Sequence, residues 1–230
     1  MIWSLIRVSI KQNVRYVQFA FNGSIQQVYH ILPQMPYDPR ILIEAGTPFI
    51  KRYGMDGVRA IRKLWRGVVV ADLKVTDGAV SEVRFTAEAG VNAVTVMGSA
   101  PVETLDYFNS YCNQIGIYPM IDMLGVNNPL HKLLPLRNKP KFVVIHKGRD
   151  EESNIRNIIR YKDIAKVRSK YDVFISVAGG LDADSVRKAY FNGADVAILN
   201  IVSRTDSNNG IPEDANFKKL IPAILSEVGQ

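Results

Sequence analysis

Eight short apolar runs alternate with longer stretches of helical periodicity along the 230 residues, and this alternation limits the possible folds more than any single motif does. The runs are RYVQFAFN, RILIEAG, VVVADLK, AVTVMG, YPMIDML, KFVVIHK, DVFISVAGG and VAILNIV. Between them lie amphipathic stretches such as GMDGVRAIRKLW, SEVRFTAEAG, VETLDYFNSYCNQIG, SNIRNIIRYKDIAKVRSK and ADSVRKAYFNG, several closing on Gly as a helix C-terminus does. In GMDGVRAIRKLW the apolar stripe is Val58, Ile61, Leu64 and Trp65. Strands that are continuously apolar belong to a parallel sheet whose faces are covered by helices. Eight βα units without a linker or composition break predict an α/β fold, one closed (β/α)8 TIM barrel over residues 1–230 as a single domain. An open, doubly wound sheet is the alternative, but no GxGxxG follows the first run. A hydrophobic content of 47% suffices for one large core.

Composition removes several function classes. Cys112 is the only cysteine, so no intrachain disulfide forms, and the start MIWSLIRVSIKQN has a short apolar run broken by Arg7 and Lys11 with no small-residue cleavage site. A cytoplasmic, reduced protein is expected. No run of about 18 apolar residues is present, so no membrane span is expected. The net charge of +7 is spread along the chain without aromatic interleaving, which reads as a solvated basic surface, attractive to a phosphorylated substrate, and not as a nucleic-acid site.

In a barrel of this kind the C-terminal strand ends form the functional mouth. Those ends carry Asn22, Glu44, Asp72 with Lys74, Gly98, Asp122, His146, Gly179 with Gly180, and Asn200. Singly, each has a structural reading: a carboxylate caps the next helix, and a lone histidine sits hydrogen-bonded in a core. Together, three carboxylates, a lysine and a histidine at one mouth are costly to desolvate without a ligand or metal to balance them. In VVVADLKVTDGAVSEV, Asp72 and Lys74 share a strand face by the period of two, and Asp77 lies in the turn before the next helix. Neighbouring carboxylates keep such a lysine protonated, which disfavours imine formation. Carboxylates such as Glu44 and Asp72 suit a hard divalent cation instead.

The Asp-x-Lys-x-x-Asp pattern of Asp72, Lys74 and Asp77 resembles the orotidine 5′-phosphate decarboxylase suprafamily, and within it the 3-hexulose-6-phosphate synthases and 3-keto-L-gulonate-6-phosphate decarboxylases. EAGTPFIKRYGMDGVRAIRKL, ADLKVTDGAVSEV, PMIDMLGV, VVIHKGRDEE and VAGGLDADSV resemble synthase segments in the same order, over roughly residues 15 to 205. The resemblance implies a magnesium- or manganese-dependent reaction through a 1,2-enediolate of a pentulose phosphate, joining formaldehyde to ribulose 5-phosphate or releasing it. Glu44 and Asp72 would be the metal ligands, Lys74 would stand near the enediolate oxygens and His146 would move the proton. Asp77 would reach into a neighbour's site, implying a homodimer with shared active sites.

Asp122 and EAGTP are spelled as in the synthases, whereas Arg149, three residues after His146, is spelled as in the decarboxylases. Arg149 is alternatively a phosphate ligand or a partner of Asp150. Asn22 stands where the family usually has an aspartate that accepts from substrate hydroxyls. Gly179 and Gly180 keep the phosphate-binding glycine pair, but Leu199 and Asn200 replace the second one, and Arg204 is the residue able to compensate. Three readings follow: a synthase-type lyase, a related enzyme including a decarboxylase, and a non-catalytic paralogue that binds a phosphorylated metabolite.

Overall fold

The structure, a computed structural model, describes residues 9–154 and 156–227. The start over Met1–Val8, expected to lack a cleavage site, lies outside the described residues. The strands are β1 (Tyr16–Phe21), β2 (Ile41–Ala45), β3 (Val68–Val75), β4 (Ala93–Met97), β5 (Tyr118–Asp122), β6 (Phe142–His146), β7 (Phe174–Ala178) and β8 (Val196–Val202), with a two-residue β9 (Ile211–Pro212). The helices are α1 (Ile25–Ile31), α2 (Thr47–Leu64), α3 (Ala79–Glu88), α4 (Val102–Ile115), α5 (Pro129–Leu133), α6 (Lys162–Arg168), α7 (Ala183–Phe191) and α8 (Phe217–Glu227). All strands are parallel and paired in chain order, and β1 also pairs with β8, so the sheet closes: Tyr16 lies opposite Val196 and Phe21 opposite Ile201. The fold is the expected (β/α)8 barrel, with β9 appended to β8 through Ile201 and Ile211.

The continuous apolar runs are explained by two separate cores. Val17, Phe19 and Phe21 of β1 and Val69 and Ala71 of β3 pack outward under the helices. The alternate positions, including Ala20, Leu42, Val70, Met120, Val144 and Ile198, fill the barrel itself, where the Phe142 and Phe174 rings stack at 5.0 Å. Both faces of the strands are therefore covered along most of their length, and polar inward residues, Gln18 of β1 and Thr95 of β4 among them, open on the mouth.

Three helix expectations need correction. The stripe on α2 buries Val58 and Ile61, but Leu64 is 36% exposed; Trp65 is buried from just beyond the helix, on extended backbone. The helix also starts earlier, at Thr47, and bends at Gly54, whose φ of 56° and ψ of −152° suit only glycine. The stretch 153–170 is helical only over α6. Before it, the Asn154 side chain accepts from Arg156 N–H at 3.0 Å and Asn157 N–H bonds the Asn154 carbonyl, a local alternative that competes with helix; Ile155 lies outside the described residues.

Candidate active site

One cavity of about 150 Å³ opens at the C-terminal strand ends and is lined by Asn22, Glu44, Asp72, Lys74, Asp122, His146, Arg149, Gly179 and Asn200. Of the residues expected at one mouth, Gly98 and Gly180 do not line it, and Asn22, Glu44, Asp72, Lys74, Asp122, His146, Gly179 and Asn200 do. They meet, however, by a device that strand periodicity does not contain. The β3–β4 register shifts between Ala71 and Val75, and Lys74 takes a left-handed φ of 52°. A bulge re-aims side chains, and a non-glycine residue stays left-handed only where its surroundings hold it. Thr95 of β4 does so: its hydroxyl oxygen accepts from Lys74 N–H at 3.0 Å while its O–H donates to Asp72 Oδ1 at 2.8 Å. Thr47, at the start of α2, donates to Asp72 Oδ2 at 2.8 Å.

So held, Lys74 Nζ lies 3.2 Å from Asp72 Oδ1 and is hydrogen-bonded to Asp122 Oδ2. His146 Nδ1 lies 2.9 Å from both Asp122 oxygens. An ionised carboxylate only accepts, so Nδ1 carries the hydrogen and Nε2 is the basic nitrogen. Burial pushes Lys74 down, but Asp72 and Asp122 outweigh it and hold the ammonium well above its ordinary range. Burial likewise lowers His146, and Asp122 more than reverses this, leaving it raised. Asp122 is buried, which alone would protonate it, yet His146 and Lys74 hold it far below the usual carboxylate range. Glu44 goes the other way: burial, then the Asp72 charge, push it up to about 8, against which its acceptance from Gln18 Nε2 works only in part.

Other expected residues land differently. Asn22 Nδ2 donates to Asn200 Oδ1 at 3.1 Å, so the two departures from the family pattern form a pair across the β1–β8 seam. Gly179 lines the cavity with φ 117°, where a Cβ would lie 2.4 Å from the Lys147 carbonyl oxygen; Gly180 lies one residue beyond, against Glu152. Gly98 is not among the lining residues; its N–H donates to the Asp122 carbonyl at 2.7 Å. Arg149 pairs with Asp206, not Asp150. Arg204 is not among the lining residues; it is exposed and bonded to Asp214 at 2.9 Å. Asp77 is exposed and outside the cavity, its Oδ1 accepting from Gly78 N–H at 2.8 Å. Gln18, Thr47 and Thr95 line the cavity without having been expected there. The available signal was a polar residue at an inward position of an apolar run, as in YVQFAF and AVTVM.

The donor set fits a hard divalent cation. Among the described residues no group of three or more protein metal ligands forms, but Glu44 and Asp72 repel each other inside one buried cavity. Next to Glu44, the buried Gln18 Oε1 has no partner among the described residues. Mg2+ characteristically takes one or two carboxylates and completes its shell with substrate oxygens and water.

A closed barrel whose mouth combines a protonated lysine, an orientated histidine and two further carboxylates has the site of a (β/α)8 enzyme. Residues 24–204 match the model of the Orotidine 5′-phosphate decarboxylase / HUMPS family. The chain belongs to that family. It is 36% identical over 186 residues to the Bifunctional enzyme Fae/Hps of Methanosarcina barkeri (strain Fusaro), covering 80% of this chain and 47% of that protein. With the protein of the same description from Methanocella arvoryzae it shares 34% over 188 residues, 80% of this chain and 48% of the other. The chain thus spans about half the length of these curated relatives. Among solved structures, the 3-hexulose-6-phosphate synthase from Salmonella typhimurium superposes with a TM-score of 0.79 at 23% identity, covering 93% of this chain and 99% of the other. KGPDC from Streptococcus mutans gives 0.72 at 19%, covering 94% and 97%. These two likenesses are of fold.

Proposed function

We propose that the chain is a metal-dependent aldehyde-lyase of the 3-hexulose-6-phosphate synthase type, condensing formaldehyde reversibly with D-ribulose 5-phosphate. The observation that carries this reading is the Asp72–Lys74–Asp122–His146 network inside one cavity that also holds Glu44. His146 Nε2 takes the proton from C1 of the pentulose. C1 of the resulting 1,2-enediolate attacks the formaldehyde carbon, the new carbon–carbon bond forms as the C2 carbonyl is restored, and the formaldehyde oxygen takes the proton back from His146. Lys74, fixed as an ammonium by two carboxylates, stabilises negative charge on the substrate oxygens without reorganising. Glu44 and Asp72 would hold the cation, Mg2+ or Mn2+, which when bound supplies Lewis-acid stabilisation of adjacent substrate oxygens. Similarity to the Fae/Hps proteins at 36% identity supports the same reading.

We also take the working protein to be a cytoplasmic homodimer whose active sites are shared through Asp77. No helix among the described residues is long and apolar enough to cross a membrane. The single cysteine, Cys112, is buried, with its thiol pushed up to about 12. The decisive assay incubates the protein with ribulose 5-phosphate, formaldehyde and Mg2+ and looks for hexulose 6-phosphate. Product that disappears with chelator is expected. Full activity in excess chelator, or an imine trapped on Lys74 by borohydride, would sink the reading. Arg149, lining the cavity with His146, favours a second reading as a decarboxylase of 3-keto-L-gulonate 6-phosphate. Release of CO2 from that substrate without hexulose phosphate synthesis would select it.

A further inference from the structure

The family match ends at residue 204, and the residues that follow, TDSNNG, return to the wall of the cavity. Asn208 grips Arg149 twice: its Oδ1 accepts from Nε at 2.8 Å, and its Nδ2 donates to the Arg149 carbonyl at 3.1 Å. Asp206 Oδ2 accepts from Arg149 Nη2, while Asp206 Oδ1 accepts from Asn208 N–H at 3.0 Å. Asn209 N–H donates to Glu152 Oε2 at 3.0 Å, tying down the 3-10 turn Asp150–Ser153 that follows Arg149. The segment is itself anchored at both ends. Asp206 N–H bonds the Ser203 carbonyl at 3.0 Å, and Gly210 packs so close to β8 that a Cβ there would lie 2.5 Å from the Asn200 carbonyl oxygen.

These contacts occupy Nε and one Nη2 hydrogen of Arg149. Nη1 has no partner among the described residues, yet Arg149 lines the cavity beside His146, Gly179 and Asn200. A guanidinium already fixed by one edge loses little rotamer freedom when its other donors meet an oxyanion, and its planar fork suits phosphate. We propose that the segment 206–209 positions Arg149 to receive the phosphate of the sugar-phosphate substrate. Asp206 and Asn208 are positioning residues, and Arg149 is the group that touches the ligand. The inference rests on the sugar-phosphate reading of the site.

The test is a mutant cycle read in KM and kcat for ribulose 5-phosphate, with Asp206→Asn, Asn208→Ala, Arg149→Ala and Asp206→Asn combined with Arg149→Ala, each checked for folding by circular dichroism. Asp206→Asn and Asn208→Ala should each raise KM by about tenfold with kcat within about twofold, and Asp206→Asn should add nothing in the Arg149→Ala background. Asn208→Asp, which keeps the acceptor on Nε, should restore most of the affinity. An unchanged KM overturns the proposal, as does an equal rise without Arg149. A lowered KM also overturns it, since Asp206 would then be competing with substrate. Calorimetric titration with inorganic phosphate separates this inference from the reaction assignment. If the wild type makes no hexulose phosphate, the reaction assignment falls; phosphate binding weakened by Asp206→Asn only when Arg149 is present still supports the positioning role, and absent or unaltered phosphate binding refutes it.

Discussion

Asp122 holds Lys74 and His146 at once, and at the residue scale this one carboxylate is the main charge that offsets the burial of His146. Its replacement by Asn leaves Lys74 with Asp72 and removes the charge that offsets the burial of His146. The NMR titration midpoint of the His146 ring should then move to lower pH, and turnover should fall on the order of 10²-fold, within the range of a general acid–base contribution. An unmoved midpoint would remove Asp122 as the cause. Glu44 makes the opposite kind of prediction. A carboxyl raised from its ordinary value to about 8 holds its proton more tightly folded than unfolded. The stability this confers is complete below its unfolded value and lost as pH rises through about 8. With chelator present, Glu44→Gln should therefore melt about 2–4 °C above wild type at pH 9 and level with it at pH 4, while in a separate assay with Mg2+ it should lose activity. A wild-type advantage at pH 9 would refute the buried, repelled Glu44.

At the scale of elements, α2 is the informative case. Its first residues, Thr47 and Pro48, line the cavity, and its second half packs through Val58 and Ile61, with Gly54 making the bend between them. A Cβ at Gly54 meets no atom within 4 Å, so the demand for glycine is one of backbone conformation alone. Gly54→Ala should destabilise by about 1–3 kcal/mol, read in denaturant unfolding, with the melting point lowered accordingly. A neutral result would show that the bend relaxes. The amphipathic pattern of GMDGVRAIRKLW exposed the second half of this helix, because periodic burial leaves a mark in sequence. The first half left none, since Thr47–Tyr53 serves partly to reach Asp72 and partly to pack, and neither demand repeats at 3.6 residues.

For the whole molecule the open matter is assembly. Asp77 belongs to the Asp-x-Lys-x-x-Asp pattern, yet in a single chain it is exposed and outside the cavity. If it completes the site of a neighbour, a two-fold dimer has each cavity built from Lys74 of one protomer and Asp77 of the other. Asp77→Ala and Lys74→Ala homodimers should both be inactive. Mixed and allowed to exchange, they should regain roughly a quarter of wild-type activity, because half the dimers are mixed and each of those has one intact site. Sedimentation should show a dimer for both variants. No recovery from a fully exchanged mixture would confine Asp77 to the turn before α3, where it already bonds Gly78.

The barrel, its strand order and the group of residues at its mouth were determined by the sequence itself. Strands covered on both faces are apolar over most of their length, so the polar residues near their C-terminal ends, Glu44, Asp72, Asp122 and His146 among them, announced the mouth. Only the tertiary structure decided how those ends are used. The bulge that turns Lys74 left-handed depends on a hydroxyl from β4. The Asn22–Asn200 pair exists because the barrel closes β1 on β8, and the hold on Arg149 comes from residues 57 and 59 positions away. Contacts of that range follow no local period, so they come into being when the chain closes on itself.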